Sequence, residues 1–105
     1  MRQYTTPTYE LTVKGIDISG ADDVWVTFAD TPRAIVITKD SPTVAASGSD
    51  TKVTVTLTQA ETAKFIEGTI SGVQVNWMDG GSRYATDIAP IDVKENLLKE
   101  ILPNA

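Results

Sequence analysis

Across residues 52–58 the chain alternates Val53, Val55 and Leu57 with Thr54, Thr56 and Thr58. Strand side chains point to opposite faces at period two, so the alternation predicts a strand with one apolar and one polar face. Val73, Val75 and Trp77 repeat it against Gln74 and Asn76. The run stops at Asp79-Gly80-Gly81, where Asp and Gly accept the positive φ that a two-residue hairpin turn demands. An antiparallel return follows, in which Tyr84 can pair across to Trp77 or its neighbour. Ile88, Ile91 and Val93 are expected to close the sheet, with Pro90 at a bulge or an edge.

The first half reads in the same way. Residues 1–7 are polar and Pro-bearing, which suits an extended arm or edge segment. Tyr9, Leu11 and Val13 share one face of a first strand that ends at Gly15. Residues 16–23 form a connection from which Ile16 and Ile18 are expected to enter the core. Val24, Val26 and Phe28 share one face of a second strand, with Trp25 and Thr27 on the other. A third, over residues 34–39, is apolar on both faces, as for a strand covered on both sides or near an oligomer contact. Residues 40–50 are small, polar and Pro/Gly-bearing and read as a long loop. Thr58 followed by Glu61 has the form of a capping box, so a short helix is expected from there towards Gly68.

About seven short strands, one short helix and frequent turn signals predict an all-β protein, an immunoglobulin-like antiparallel β-sandwich. Residues 1–94 are assigned to the sandwich and residues 95–105 to an amphipathic C-terminal tail. In that tail Leu97, Leu98, Ile101 and Leu102 fall on one stripe of a short helix, with Lys94, Glu95, Lys99 and Glu100 around it. So short a helix is marginal alone, and its stripe must be buried on the parent sandwich or on another subunit.

At 105 residues the chain holds one core, and with 41% hydrophobic and 22% charged residues it lies well away from disordered compositions. The formal charge of −5 and the lack of a basic patch argue against nucleic acid as a partner. No signal peptide and no membrane span is expected. The sequence has neither histidine nor cysteine, which removes the usual general base, nucleophile and zinc ligands. No catalytic, cofactor-binding or metal-binding set is assigned. Asp17, Asp22 and Asp23 lack the alternating ligands of a calcium loop, and nothing fixes the separation of Glu61/Glu67 or Asp79/Asp87 for glycoside cleavage. Gly80-Gly81 joins two strands and opens no helix, unlike a phosphate loop. Trp25, opposite in phase to Val24, Val26 and Phe28, is the candidate exposed aromatic, for a partner protein or, in an alternative reading, for a carbohydrate-binding module.

From the fourth predicted strand to the tail, the chain resembles small structural proteins of bacteriophages and prophages of Gram-positive and gut bacteria, and more loosely the N-terminal domain of the phage baseplate upper protein. The matching elements are LTQAET before the helix, the VQVNW strand, the Asp-Gly hairpin, the ATDI return and the ending DVKENLL. The resemblance implies a non-enzymatic sandwich serving virion, tail or baseplate assembly. Its partner would be itself or another phage structural protein, in the host bacterial cytoplasm during assembly and then in the virion. The interaction residues expected are Leu97, Leu98, Ile101, Leu102 and Trp25.

Overall fold

Two antiparallel sheets face each other across one apolar layer. A computed structural model describes residues 1–30, 35–65, 70–94, 96–99 and 102–103. The strands are β1 (Thr8–Val13), β2 (Asp23–Asp30), β3 (Ile35–Asp40), β4 (Thr43–Ser47), β5 (Asp50–Thr56), β6 (Ile70–Asp79), β7 (Ser82–Ala85) and β8 (Ala89–Asp92), with helix α1 (Gln59–Ala63) between β5 and β6. One sheet runs β1-β5-β4; the other runs β3-β2-β6-β7, with β8 also on β6. This is the immunoglobulin arrangement in which a B-E-D sheet covers a C′-C-F-G sheet.

The alternation read from the sequence sets the inner faces. Val53, Val55 and Leu57 meet Val26, Phe28, Val73, Val75 and Trp77, all buried, and Val13, Ile18, Ile37, Phe65 and Val93 complete the core. Tyr9 tilts against Phe28 with ring centroids 5.5 Å apart, and Trp77 stacks on Tyr84 at 5.7 Å. The β6–β7 turn is Gly80-Gly81, both at positive φ (59° and 82°), as a type I′ turn requires.

Three expectations are corrected, and one of two open readings is removed. Residues 40–50 are not one long loop, because β4 pairs with β5 and is joined to it by Gly48 and Ser49. Gly48 has φ 64°, the freedom a two-residue turn needs at its first position. Ile16 is exposed; of the two isoleucines in that connection only Ile18 is buried, its N–H donating to Thr51 Oγ1 at 2.9 Å. Of the two readings of the third strand, cover on both sides is excluded, since Val36 is 61% exposed while Ile37 is buried. At the described tail residues there is no helix. Asn96 Oδ1 accepts the Leu98 N–H at 3.2 Å, a local bond that competes with helical pairing.

β6 also begins earlier than the sequence predicts, at Ile70. Its far edge is covered first by β7 and then by β8. Between Asn76↔Ala85 and Val73↔Ala89, two β6 residues stand opposite three, so the return strand bulges. Thr86 fills the break: its N–H donates to Val75 O (2.9 Å), its hydroxyl accepts the Val75 N–H (3.1 Å) and its carbonyl accepts Gln74 Nε2 (2.8 Å). The bulge turns Ile88 away from the core, 68% exposed, over Gly72, where an added Cβ would come within 2.5 Å of Ile88 Cγ2. Pro90 sits on the edge strand beside it.

Helix α1 has the capping box read from the sequence. Thr58 Oγ1 accepts the Glu61 N–H (3.2 Å), and Glu61 Oε1 accepts the Thr58 N–H (2.8 Å). The same carboxylate accepts two bonds from Lys39 Nζ, at 2.8 and 3.1 Å, and so ties α1 to β3. Burial raises the Glu61 pKa, but the Lys39 bonds, the Thr58 N–H and the Lys39 charge outweigh it and hold the carboxyl below the usual glutamate range.

Two outcomes are expected. Phe28→Ala, which empties the centre of the core, costs about 3–5 kcal/mol in urea unfolding. The fold stabilises the charged form of Glu61, so its contribution is full above about pH 4.5, the unperturbed value, and is lost as pH falls through the lower folded value. Glu61→Gln flattens that part of the stability profile; a profile unchanged by the substitution would show that the Lys39 bridge does not couple to folding.

Candidate functional site

The residues singled out from the sequence lie on two separate surfaces. Among the tail residues, Leu97 is 91% exposed, Leu98 48% and Leu102 45%; Ile101 lies outside the described residues. Gln59 holds the segment at Leu102. Gln59, the first residue of α1 and itself buried, receives the Leu102 N–H on Oε1 at 2.8 Å and donates from Nε2 to the Leu102 carbonyl at 3.1 Å. A primary amide carries an acceptor oxygen and two donor hydrogens in a plane, so it can pair with the N–H and C=O of one residue as a neighbouring strand would. Sequence reading missed Gln59, because a glutamine in a helix's first turn reads as a solvated residue.

The N-terminal arm is fixed to the same end of the fold. Gln3 N–H donates to Lys94 O and Lys94 N–H to Met1 O, while Gln3 Nε2 reaches Phe65 O at 2.6 Å. The buried Thr62 hydroxyl accepts the Thr5 N–H at 3.1 Å and lies 2.9 Å from Thr5 O. These bonds position α1, and with it Gln59, against the sandwich.

Trp25 is half-buried on the outer face of the five-stranded sheet, in register with Asn76 of β6 and Asp40 of β3. It borders a hollow of about 320 Å³ lined also by Thr27, Thr38, Asn76, Met78 and Arg83. Thr27 continues into a second hollow of about 300 Å³ with Ala29, Gly72, Gln74, Ile88 and Pro90. Three side-chain contacts order this face. The Thr27 and Thr38 hydroxyls are 3.2 Å apart; Arg83 Nε and Nη2 lie 3.4 and 3.3 Å from Asn76 Oδ1; Gln74 is held by Thr86 O. No tail leucine lines either hollow. Asn76 and Gln74 were read as the wet face of a strand; their place beside Trp25 depends on the β2–β6 register, which a single sequence does not specify.

Two of the carboxylates weighed from the sequence, Asp17 and Glu61, are engaged in local bonds. Asp17 Oδ1 accepts the Ser19 hydroxyl (2.6 Å) and N–H (2.9 Å), bonds that lower its pKa. Glu61 is the cap and the Lys39 partner, and Glu67 lies outside the described residues. Among the described residues no group of three or more Asp or Glu is placed to hold a metal ion, and no helix is long and apolar enough to cross a membrane. Comparison of the chain with protein-family models, with curated proteins and with solved structures finds no match.

Gln59→Met keeps the side chain's size and removes both bonds to Leu102. Exchange of the Leu102 amide hydrogen is then expected to accelerate about thirtyfold, for the loss of two bonds worth about 1 kcal/mol each. Unchanged exchange would mean that the tail is held elsewhere.

Proposed function

We propose that this chain is a non-enzymatic structural protein of phage or prophage origin, which assembles with itself or with another virion, tail or baseplate component through its C-terminal leucines. The observation that carries the reading is the exposure of Leu97, Leu98 and Leu102 on a segment anchored to the body of the fold. Full burial of a leucine is worth about 1.5–3 kcal/mol, so these three side chains hold stabilisation that only a second surface can realise. The anchor at Gln59 matters as much. It limits the positions of the tail and so lowers the ordering cost a partner must meet.

The free edges of the sheets support the same reading. β4 ends one sheet and β3 the other, and neither has a second strand partner among the described residues. An unpaired edge offers backbone donors and acceptors for strand addition by another chain. The phage assignment rests on the likeness of the LTQAET, VQVNW and DVKENLL segments to phage structural proteins. On that reading the protein acts in the host cytoplasm during assembly and then in the virion.

Light scattering across a concentration series is the test. The full chain is expected to self-associate, or to form a stable complex with a protein encoded beside it, and the double variant Leu97→Ser/Leu98→Ser to lose that association while unfolding at the same urea concentration. A chain that stays monomeric at about 1 mM, a concentration that captures even weak pairs, and that binds none of those proteins would sink the proposal.

A further inference from the structure

A ligand on the outer face of the five-stranded sheet meets side chains only. β2 is paired on one edge with β3 and on the other with β6, and β6 with β2 and with β7 and β8. The backbone of both central strands is therefore flanked on each edge over residues 25–29 and the facing residues 72–76. An extended peptide would find no strand edge here to pair with. What the face does offer is one aromatic ring, two primary amides, two hydroxyls and a guanidinium.

These groups are ordered before any ligand arrives. Gln74 spends one Nε2 hydrogen on Thr86 O, which fixes its amide plane and leaves Oε1 and the second hydrogen without a protein partner among the described residues. Arg83 lies against Asn76 Oδ1, and the Asn76 amide nitrogen has no protein partner among the described residues. The Thr27–Thr38 pair uses one hydroxyl hydrogen and keeps the other. Such planar groups, each with a donor beside an acceptor or two donors side by side, match adjacent hydroxyls on a ring. Trp25 adds an apolar plane for the ring's C–H face. Each hollow, at about 300 and 320 Å³, falls at the small end of the range for small-ligand sites, roughly 300–1,000 Å³. Thr27 joins the two.

Nucleic acid fits poorly. Arg83 is the single cation lining the two hollows, Asp40 stands in register with Trp25, and the chain carries a formal charge of −5.

We propose that this face, centred on Trp25 with Thr27, Gln74, Asn76 and Arg83, is a carbohydrate-binding site for two or more linked pyranose units. It is independent of the tail leucines and goes beyond the assembly role, giving the same sandwich a second, glycan-directed surface. Sugars bound this way are held weakly and reversibly, by stacking and neutral hydrogen bonds.

The test is a titration of the full-length ¹⁵N-labelled chain with cellohexaose, maltohexaose, chitohexaose and sialyllactose, each to about 10 mM, well above the millimolar affinities that such contacts give. At least one is expected to shift the Trp25 indole and the Gln74 and Asn76 side-chain amides while leaving the Trp77 indole in place. Asn76→Ala and Trp25→Ala should each weaken that sugar about tenfold or more, and Leu97→Ser/Leu98→Ser should bind it as the parent does. Asn76 lies outside the core, so its variant keeps the test valid should Trp25→Ala fold poorly. No shift at those three side chains with any of the four sugars, or binding that Asn76→Ala leaves intact, would overturn the proposal.

Discussion

β6 has ten residues whose backbone must be satisfied on both edges, and most of the sandwich is arranged to meet that demand. A buried unpaired N–H or C=O costs as much as a lost hydrogen bond, so a central strand cannot end its ladder early. β2 supplies one edge without interruption. The other edge is built from two short strands, and Thr86, the first of the three residues between them, pairs through its hydroxyl and its backbone at the point where the ladder would fail. The bulge there explains three neighbours at once: Ile88 faces outward, Gly72 has no side chain beneath it, and Pro90 sits where its missing N–H is harmless.

The ends of the sandwich are closed by polar contacts that each do two jobs. Glu61 caps α1 and bridges to β3. Thr62 binds the N-terminal arm through its hydroxyl while its backbone stays in the helix. Gln3 joins the arm to Phe65 and to the strand end at Lys94. A five-residue helix has little stability of its own. These contacts, together with the buried Phe65, hold it in place.

Local signals made much of this legible in the sequence. The alternation of Val53, Val55 and Leu57, of Val73, Val75 and Trp77, and of Val26 and Phe28 fixed the inner faces, because period two needs only neighbours to read. The Thr58–Glu61 box and the Gly80-Gly81 turn are local as well. What was illegible depends on distant partners. β4 has only Thr43 and Val44 with strong strand preference before Ala45, Ala46 and Ser47, and it is a strand because β5 lies beside it. The tail's leucine spacing does fit a helix, but the Asn96 side chain and the Gln59 amide offer its backbone other partners. The surface around Trp25 gathers residues from β2, β3, β6 and β7, and only the sheet order brings them together.

The Gln59 amide recognises the backbone N–H and C=O of one residue and nothing about that residue's side chain. Both of its bonds are neutral, so neither acid nor salt has a direct grip on the latch. Substitution of the anchored leucine by almost any residue leaves the latch intact, whereas proline in its place would remove the one N–H that Gln59 accepts. The apolar character of the tail can therefore drift over evolutionary time, retuning which surface it suits, while the point at which it is moored to the fold stays the same.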